Sequence, residues 1–529
     1  MTHRLLWLLP LFFSTSCVRQ HYFQADARLP GSAAATVADS VRVTAGRHYQ
    51  RGWVHNFFWG KHYRPVWATP VTLPVFDLSK IGSGGLQAGK MGGGFQSTSM
   101  TLNGPQGRQY ALRTLDKDPY KTLPKVARKS FLLNIVRDAT SAANPFGAFV
   151  VPPLAEAAGV LHTNPRPYYV LPDETRLGAS SSLFQGKVVM LEEKYQGPEN
   201  LTPAFGAARD LEDSDKMLAQ RYVDPTHQID QVAFARARLL DLWLGDWDRH
   251  EGQWQWAVYE QKGRTLYRAV PKDRDQVFYR FSDGLVPWLA SRRWAVRKFR
   301  TFKPRYEDIG GLVKNARFID ERALSEVSRA QFQQLAHDLQ QRLSDEVIGK
   351  ALHRFPAPIY ALEGARTTAA LQARRTDLPK AADTFYRLLA EQVTVAGTDK
   401  EEHFVVERLT DTATVVSVYR MPAKGEKAPG DTLLYRRRFR PDETKRIVLH
   451  GLGGEDLFEV RGDVKRGIRV DIYGGPNEDK VVNTSRIRHG GKKTFYYDTK
   501  RGNVIVNGHD FKDKTAKGVK MHAYDREGY

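Results

Sequence analysis

The sequence predicts an α+β protein: a strand-rich lobe, a helical lobe after it, and a small all-β module at the end. Three observations carry this. Alternating, glycine-punctuated segments run from Val75 to about Asp116. Apolar residues then recur at helical spacing, as in Gln228 to Leu244, where Val232, Phe234, Ala235, Leu239, Leu240 and Leu242 are expected to pack inward. From Val393 to about Thr499 the pattern returns to short strands with glycine turns.

In chain order, residues 1–17 read as an export signal. Arg4 supplies the charge, Leu5 to Phe13 the apolar run, and Ser14-Thr15-Ser16 the small residues ahead of Cys17. This looks like a bacterial lipobox, with Ser14 where Leu is usual. Cys17, the only cysteine, would become the lipidated first residue of the mature chain. The alternative is a plain secretory signal with an incidental cysteine. The apolar run falls short of the roughly twenty residues that cross a bilayer, and a lone cysteine leaves no internal disulfide. Residues 18–75 mix polar and aromatic side chains and read as a partly ordered lead-in. Residues 76–200 form the strand-rich lobe. It has hairpin strands Ser99 to Leu102 and Gln109 to Thr114, a helix over 123–141 and a buried strand, Val188 to Tyr195, ending in acids. Residues 201–392 form the helical lobe, with helices over 228–244, 321–351 and 378–392. Residues 393–499 are the β module, and 500–529 a lysine-rich tail.

With 41% hydrophobic and 11% aromatic residues the chain can bury a sizeable core and is not disordered. Its net charge of +21 favours acidic partners: lipid headgroups, anionic glycans or nucleotides. No nucleic-acid motif accompanies that charge, so nucleic acid is not an expected partner.

Two segments carry the chemistry, Gly245-Asp246-Trp247-Asp248-Arg249-His250-Glu251-Gly252-Gln253 and Val270-Pro271-Lys272-Asp273-Arg274-Asp275-Gln276-Val277-Phe278. Phosphoryl transfer needs a loop over the phosphates, a cation on them, an acid near the acceptor, and carboxylates holding divalent metal. Asp248, with His250 beside it, is the candidate catalytic acid or base. Asp273, supported by Asp275, is the candidate metal carboxylate, and Gln253 offers a carbonyl oxygen to the same ion. Gly92, Gly93 and Gly94 sit in a glycine-rich turn that lets backbone N–H groups approach phosphate. Arg113, on the strand Tyr110-Ala111-Leu112-Arg113, is a forked cation for phosphate. Plainer readings stay open: a flexible surface loop, an ordinary strand arginine, and two structural loops locked by Asp248–Arg249 and Asp273–Arg274 ion pairs.

These two loops resemble the catalytic and metal loops of atypical kinases: the spore-coat CotH kinases, the secretory-pathway casein kinases, the HipA type and the phosphatidylinositol kinases. The resemblance implies a two-lobed protein-kinase-like fold. It places Asp248 at the catalytic Asp, Asp273 at the metal Asp, and Arg113 where a Lys is usual. Gln253 stands where an Asn is usual. Glu192-Glu193 falls on the strand leading to the hinge, with Glu193 at the cofactor, and Asp138 and Glu156 are both candidates for the helix acid that pairs the cation. The implied cofactor is Mg²⁺ or Mn²⁺ with ATP or a similar phosphorylated donor. More narrowly, residues 45–529 look like a segment of Bacteroidetes-type outer-membrane proteins. There, such a segment lies between a calcineurin-like metallophosphatase and a BamA-like surface-antigen barrel. Gly60-Lys61-His62-Tyr63-Arg64, Val150-Val151-Pro152-Pro153-Leu154-Ala155-Glu156-Ala157-Ala158-Gly159-Val160 and the two acidic loops carry that likeness. Phosphatase and barrel are not seen in this sequence, which implies either an outer-membrane-anchored lipoprotein of the cell envelope, periplasmic or on the surface, with an outer-membrane barrel protein as partner, or a chain ending before the barrel.

Trp288 to Tyr306 interleaves seven basic residues with Trp294, Phe299 and Phe302 and holds no acid. It reads either as a surface for anionic lipid or glycan, or as a basic face on a lobe helix. Gly451 to Phe458 and Gly474 to Val481 each approach a calcium β-roll repeat. Their offset of 23 suits stacked turns of a β-solenoid, or a small sandwich, and calcium at Asp456 and Asp479 is not expected. Two functions follow: an exported kinase-like phosphotransferase, or a catalytically inactive envelope scaffold. Exported chains meet essentially no ATP, which favours an unusual donor or the scaffold.

Overall fold

The computed structural model describes residues 21–30, 39–81, 84–92, 98–422, 432–518 and 524–528. Cys17, Gly93 and Gly94 lie outside them.

Helix and sheet are mixed along the chain. The first lobe is built on a five-stranded antiparallel sheet in the order Gln87–Gly92, Ser99–Asn103, Gln109–Thr114, Val188–Glu193, Arg166–Tyr169. Alternation with period two gives it two faces. Met100, Leu102, Leu112, Val189 and Leu191 bury one face against Phe76, Leu86 and Phe184. The other carries Arg113 opposite Met190 and Ala111 opposite Glu192.

The lead-in belongs to the fold. Tyr22, Val43, Tyr49, Tyr63, Val66 and Trp67 are buried in the main core with the helical lobe. Arg64, itself buried, donates from Nη1 and Nη2 to Asp138 at 2.8 and 2.5 Å. Tyr22, Tyr49, Tyr63 and Trp67 are thus core material for a neighbouring lobe, while Trp53, Phe57 and Phe58 stay exposed. The helix expected over 123–141 divides at Ser130, which caps Phe131–Ala139. The one expected over 321–351 is three helices, Arg317–Ala323, Arg329–Arg342 and Asp345–Leu352, because Ser328 and Ser344 each cap a new start.

Gln231–Leu244 is the central helix of the second lobe. The Asp230 carboxylate accepts from the Ala233 N–H at 3.0 Å to start it. Gly245, at φ 71°, ends it in the left-handed region. After it the strands Trp254–Gln261 and Arg264–Pro271 form a hairpin around Lys262-Gly263, whose φ values of 50° and 75° make the tight turn that fits strand twist. Trp254 pairs with Pro271. The segment before Trp254 and the segment after Pro271 therefore emerge side by side, which brings the two acidic loops together.

The β module runs past its expected end. Parallel strands from Arg446–His450 to Phe511–Asp513 stack as turns. Leu449 pairs with Ile472, Phe458 with Val481 and Val464 with Ile487, each partner 23 residues on. This is a β-solenoid. The segment read as a tail adds strands Val504–Val506 and Phe511–Asp513, and Tyr524 returns to pack on Tyr222 and His450.

A ladder of carboxyl groups pins the solenoid turns. Asp456 Oδ1 accepts from the Glu402 N–H, Asp479 Oδ1 from the Asp456 N–H, and Asn503 Oδ1 from the Asp479 N–H, each at 2.8 Å. Burial, then Glu402 and Asp479, pushes Asp456 up to about 10. Asp456 therefore binds its proton more tightly folded than unfolded, where Asp titrates near ~3.9. The folded chain holds the extra proton from about pH 4 to about 10, so stability falls as pH rises through that window. We expect a lower thermal midpoint at pH 9 than at pH 6 by circular dichroism. Asp456→Asn should lessen that dependence, leaving the part due to Glu402, raised by burial to about 7, and Asp479, raised by burial to about 8. An unchanged slope would contradict the protonated ladder.

Candidate active site

The arginines of the two loops do not pair with Asp248 and Asp273. They turn inward to two buried acids. Arg274 Nη1 lies 2.5 Å from Asp241 and 3.4 Å from Asp246. Arg249 Nε lies 3.4 Å from Asp241, and its Nη1 lies 3.7 Å from Asp246. Arg249 is 1% exposed and stacks over Trp254 at 4.6 Å. It also donates to the Lys272 carbonyl at 2.8 Å and the Gln253 carbonyl at 2.9 Å, so one side chain clamps both loops. Arg238 extends the buried network to Asp241 and Asp320, at 2.7 Å each.

This leaves the two site acids facing the cleft groups. Asp248 Oδ1 accepts from Asn315 Nδ2 at 2.7 Å. Asp273 Oδ1 lies 3.9 Å from Arg113 Nη1, and its Oδ2 lies 3.5 Å from Gln253 Nε2. A half-turn of that amide would present Oε1 instead. Burial pushes the Asp273 carboxyl up, but Arg113, Lys117 and Arg249 outweigh it and hold it at about 2. Asp273 sits at φ 55°, a left-handed conformation that Asp and Asn tolerate better than most residues.

Arg113 reaches the cleft from its strand and is held by Glu192, Nη1 to Oε2 at 2.5 Å. This replaces both expected helix acids. Asp138 is taken by Arg64 and His55, and Glu156 is exposed on Val151–Ala158. Glu193 is likewise corrected. One residue along a strand changes face, and its carboxylate accepts from the Asn164 N–H at 2.7 Å. Asp275 does not join Asp273; it pairs with Lys117 and accepts from Gln276 Nε2 at 2.9 Å. His250 caps its own turn, Nδ1 accepting from the Gly252 N–H at 3.1 Å, with Nε2 3.4 Å from the Gln253 amide. Gly92 ends its strand opposite Ser99.

Two cations of the cleft were not anticipated. Burial lowers the Lys117 ammonium, opposed by the nearby Asp273 and Asp248. Burial, with Arg113 adding to it, lowers Lys272 to about 8. Lys117 follows its strand by three residues and Lys272 precedes Asp273, but a single Lys has no spacing that marks it.

Among the described residues no group of three or more His, Cys, Asp or Glu side chains is arranged to hold a metal ion. The Gln253 backbone carbonyl is taken by Arg249. The donors that fit are the Asp273 carboxylate and, with its amide turned over, the Gln253 side-chain Oε1. That pair suits Mg²⁺, which is commonly held by one or two carboxylates with waters and substrate phosphates completing its shell.

No protein-family model matches the chain, and no curated protein does. Among solved structures it is similar to the proinflammatory kinase CtkA of Helicobacter pylori, at 11% identity and a TM-score of 0.33, over 59% of this chain and 98% of that one. It is also similar to the Rio2 kinase of Chaetomium thermophilum, solved as an ADP/Mg²⁺-phosphoaspartate complex, at 13% identity and a TM-score of 0.22, over 57% and 71%. Both overlaps are too loose to carry a functional reading, which rests on the cleft itself.

Proposed function

We propose that this chain is a kinase-like phosphotransferase of the cell envelope, taking a nucleotide or similar phosphorylated donor with Mg²⁺ or Mn²⁺. The observation that carries the reading is the arginine clamp. Arg249 and Arg274 bind Asp241 and Asp246, so Asp248 and Asp273 remain for chemistry. Arg113, Lys117 and Lys272 would face the donor phosphates. Asp273 and Gln253 would hold the ion, which would neutralise charge developing on the phosphates. Asp248 would orient the acceptor hydroxyl and take its proton. The apolar run before Cys17 supports export and lipid anchoring.

The Asp275–Lys117 pair favours a second reading, an inactive scaffold, because it ties up one of the cations that would face the donor phosphates. Thermal unfolding with and without ATP–Mg²⁺ separates the two. A donor at a hundred times its dissociation constant adds about 2.7 kcal/mol. We expect a stabilisation that Asp273→Asn abolishes while its own melt without ligand stays cooperative. No shift with any nucleotide would leave the scaffold.

A further inference from the structure

The helix Trp53–Trp59 buries none of its residues. Trp53 is 80% exposed and Phe57 61%. One edge of it is held within the chain, with His55 3.2 Å from Asp138 and His55, Asn56 and Trp59 half-buried, while Trp53, Val54, Phe57 and Phe58 form an apolar edge with no cover. Its C-terminal end abuts a second exposed helix, Leu285–Ala290: a Cβ added to Gly284 would lie 2.1 Å from the Gly60 nitrogen. That helix presents Leu285, Trp288 and Leu289 to solvent, and the chain folds back through Val296 to show Trp294, 79% exposed.

Charge surrounds this aromatic face. Within the stretch Trp288 to Tyr306, Arg297 and Arg300 bind Asp308, and Lys303 binds Glu307. The stretch is therefore neither one helix nor wholly basic, as two acids just beyond it fold back. Arg292 and Arg293 have no ion pair among the described residues, and Arg292 lies 3.5 Å over the Trp288 ring. Both border an open cavity of about 480 Å³ that Trp288, Trp294, Arg300 and Lys303 also line, together with Glu307 and Asp308, the two acids already held by those ion pairs. Lys61, exposed, follows the first helix.

We infer that this face docks on an anionic lipid bilayer. Trp53, Phe57, Trp288 and Trp294 would enter the headgroup–acyl boundary, and the cavity at Arg292 and Arg293 would receive a phosphate headgroup. Tryptophan rings favour that boundary because one end is apolar and the N–H is wet. Adjacent arginines add attraction to anionic headgroups while the rings supply buried apolar area. The inference is independent of the phosphotransfer reading and uses none of its residues.

The full chain is tested by co-sedimentation with vesicles of phosphatidylcholine alone and of equal parts phosphatidylcholine and phosphatidylglycerol. Each basic residue at an anionic surface is worth about fivefold in partitioning. Arg292→Glu with Arg293→Glu should therefore weaken binding to the anionic vesicles by about twenty-fold or more. Trp53→Ser with Trp294→Ser should weaken it too and remove the blue shift of tryptophan emission. Trp53, Trp294 and Arg293 are exposed and Arg292 is half-buried over the Trp288 ring, so thermal midpoints, measured for each variant, should move little. Comparing variants in the same chain cancels any N-terminal anchor. Wild-type binding by both double variants, or a loss in the arginine double variant that is as large on neutral vesicles, would overturn the proposal. So would dimerisation through the patch in sedimentation velocity, which would make it a protein interface.

Discussion

Asp248→Asn should slow phosphoryl transfer by about 10²–10⁴-fold, the usual contribution of a positioned acid or base, while leaving donor binding intact. The readout is ADP formation with Mg²⁺, with water or the chain's own hydroxyl groups as acceptor. The substitution is nearly isosteric, and its Oδ1 can still accept from Asn315 Nδ2, as Asp248 does at 2.7 Å. The loop should therefore stay in place. Asp273→Asn should act differently, removing ion and donor together, because Asp273 is the acid that faces Gln253 and Arg113. Its left-handed backbone makes Asn the clean substitution, since Ala at φ 55° would add strain to the loss of charge. If the two variants lose donor binding equally, the division of roles between the loops is wrong.

The largest stability effect should come from Arg249→Met. The guanidinium is 1% exposed, donates to two backbone carbonyls and lies in ion-pair range of two carboxylates. Burial already pushes Asp246 up against the pull of Arg249 and Arg274. Removing one partner of a buried ionic group costs about 3–5 kcal/mol, read by urea unfolding. The Gln253 and Lys272 carbonyls also lose their donor, so the two loops should separate and donor binding should fall with stability. Arg249→Lys should recover part of the stability and little of the binding. A single ammonium keeps the charge but cannot span two carbonyls and two carboxylates in one plane. Wild-type stability in Arg249→Met would show that the clamp is incidental.

One strand of the hairpin that unites the site was legible in the sequence, Leu266 to Val270 ahead of the second loop; its partner Trp254–Gln261 and the turn at Lys262-Gly263 come from the structure. The apolar pattern of Gln228 to Leu244 likewise pointed to the helix that ends at Gly245. The 23-residue solenoid turn was visible in the spacing of Asp456 and Asp479. What stayed hidden has one common cause: long-range partners leave no local pattern. Asp241 lies inside an apolar helix, and nothing near it in the chain shows that three arginines converge there. Glu192 and Glu193 differ only by strand face, which register alone decides. The lead-in looked loosely ordered because its aromatics pack against a lobe hundreds of residues later, as Tyr63 does in donating to the Phe278 carbonyl at 2.5 Å.

The central claim is that the arginine clamp leaves Asp273 and Gln253 available to an ion held against a polyphosphate. Mn²⁺ uptake by the full chain, followed by electron paramagnetic resonance with and without ADP, tests it most directly. One Mn²⁺ per chain should bind when ADP is present, persist in Asp248→Asn and disappear in Asp273→Asn. Uptake unchanged in Asp273→Asn, or absent from the wild type with ADP, would contradict it.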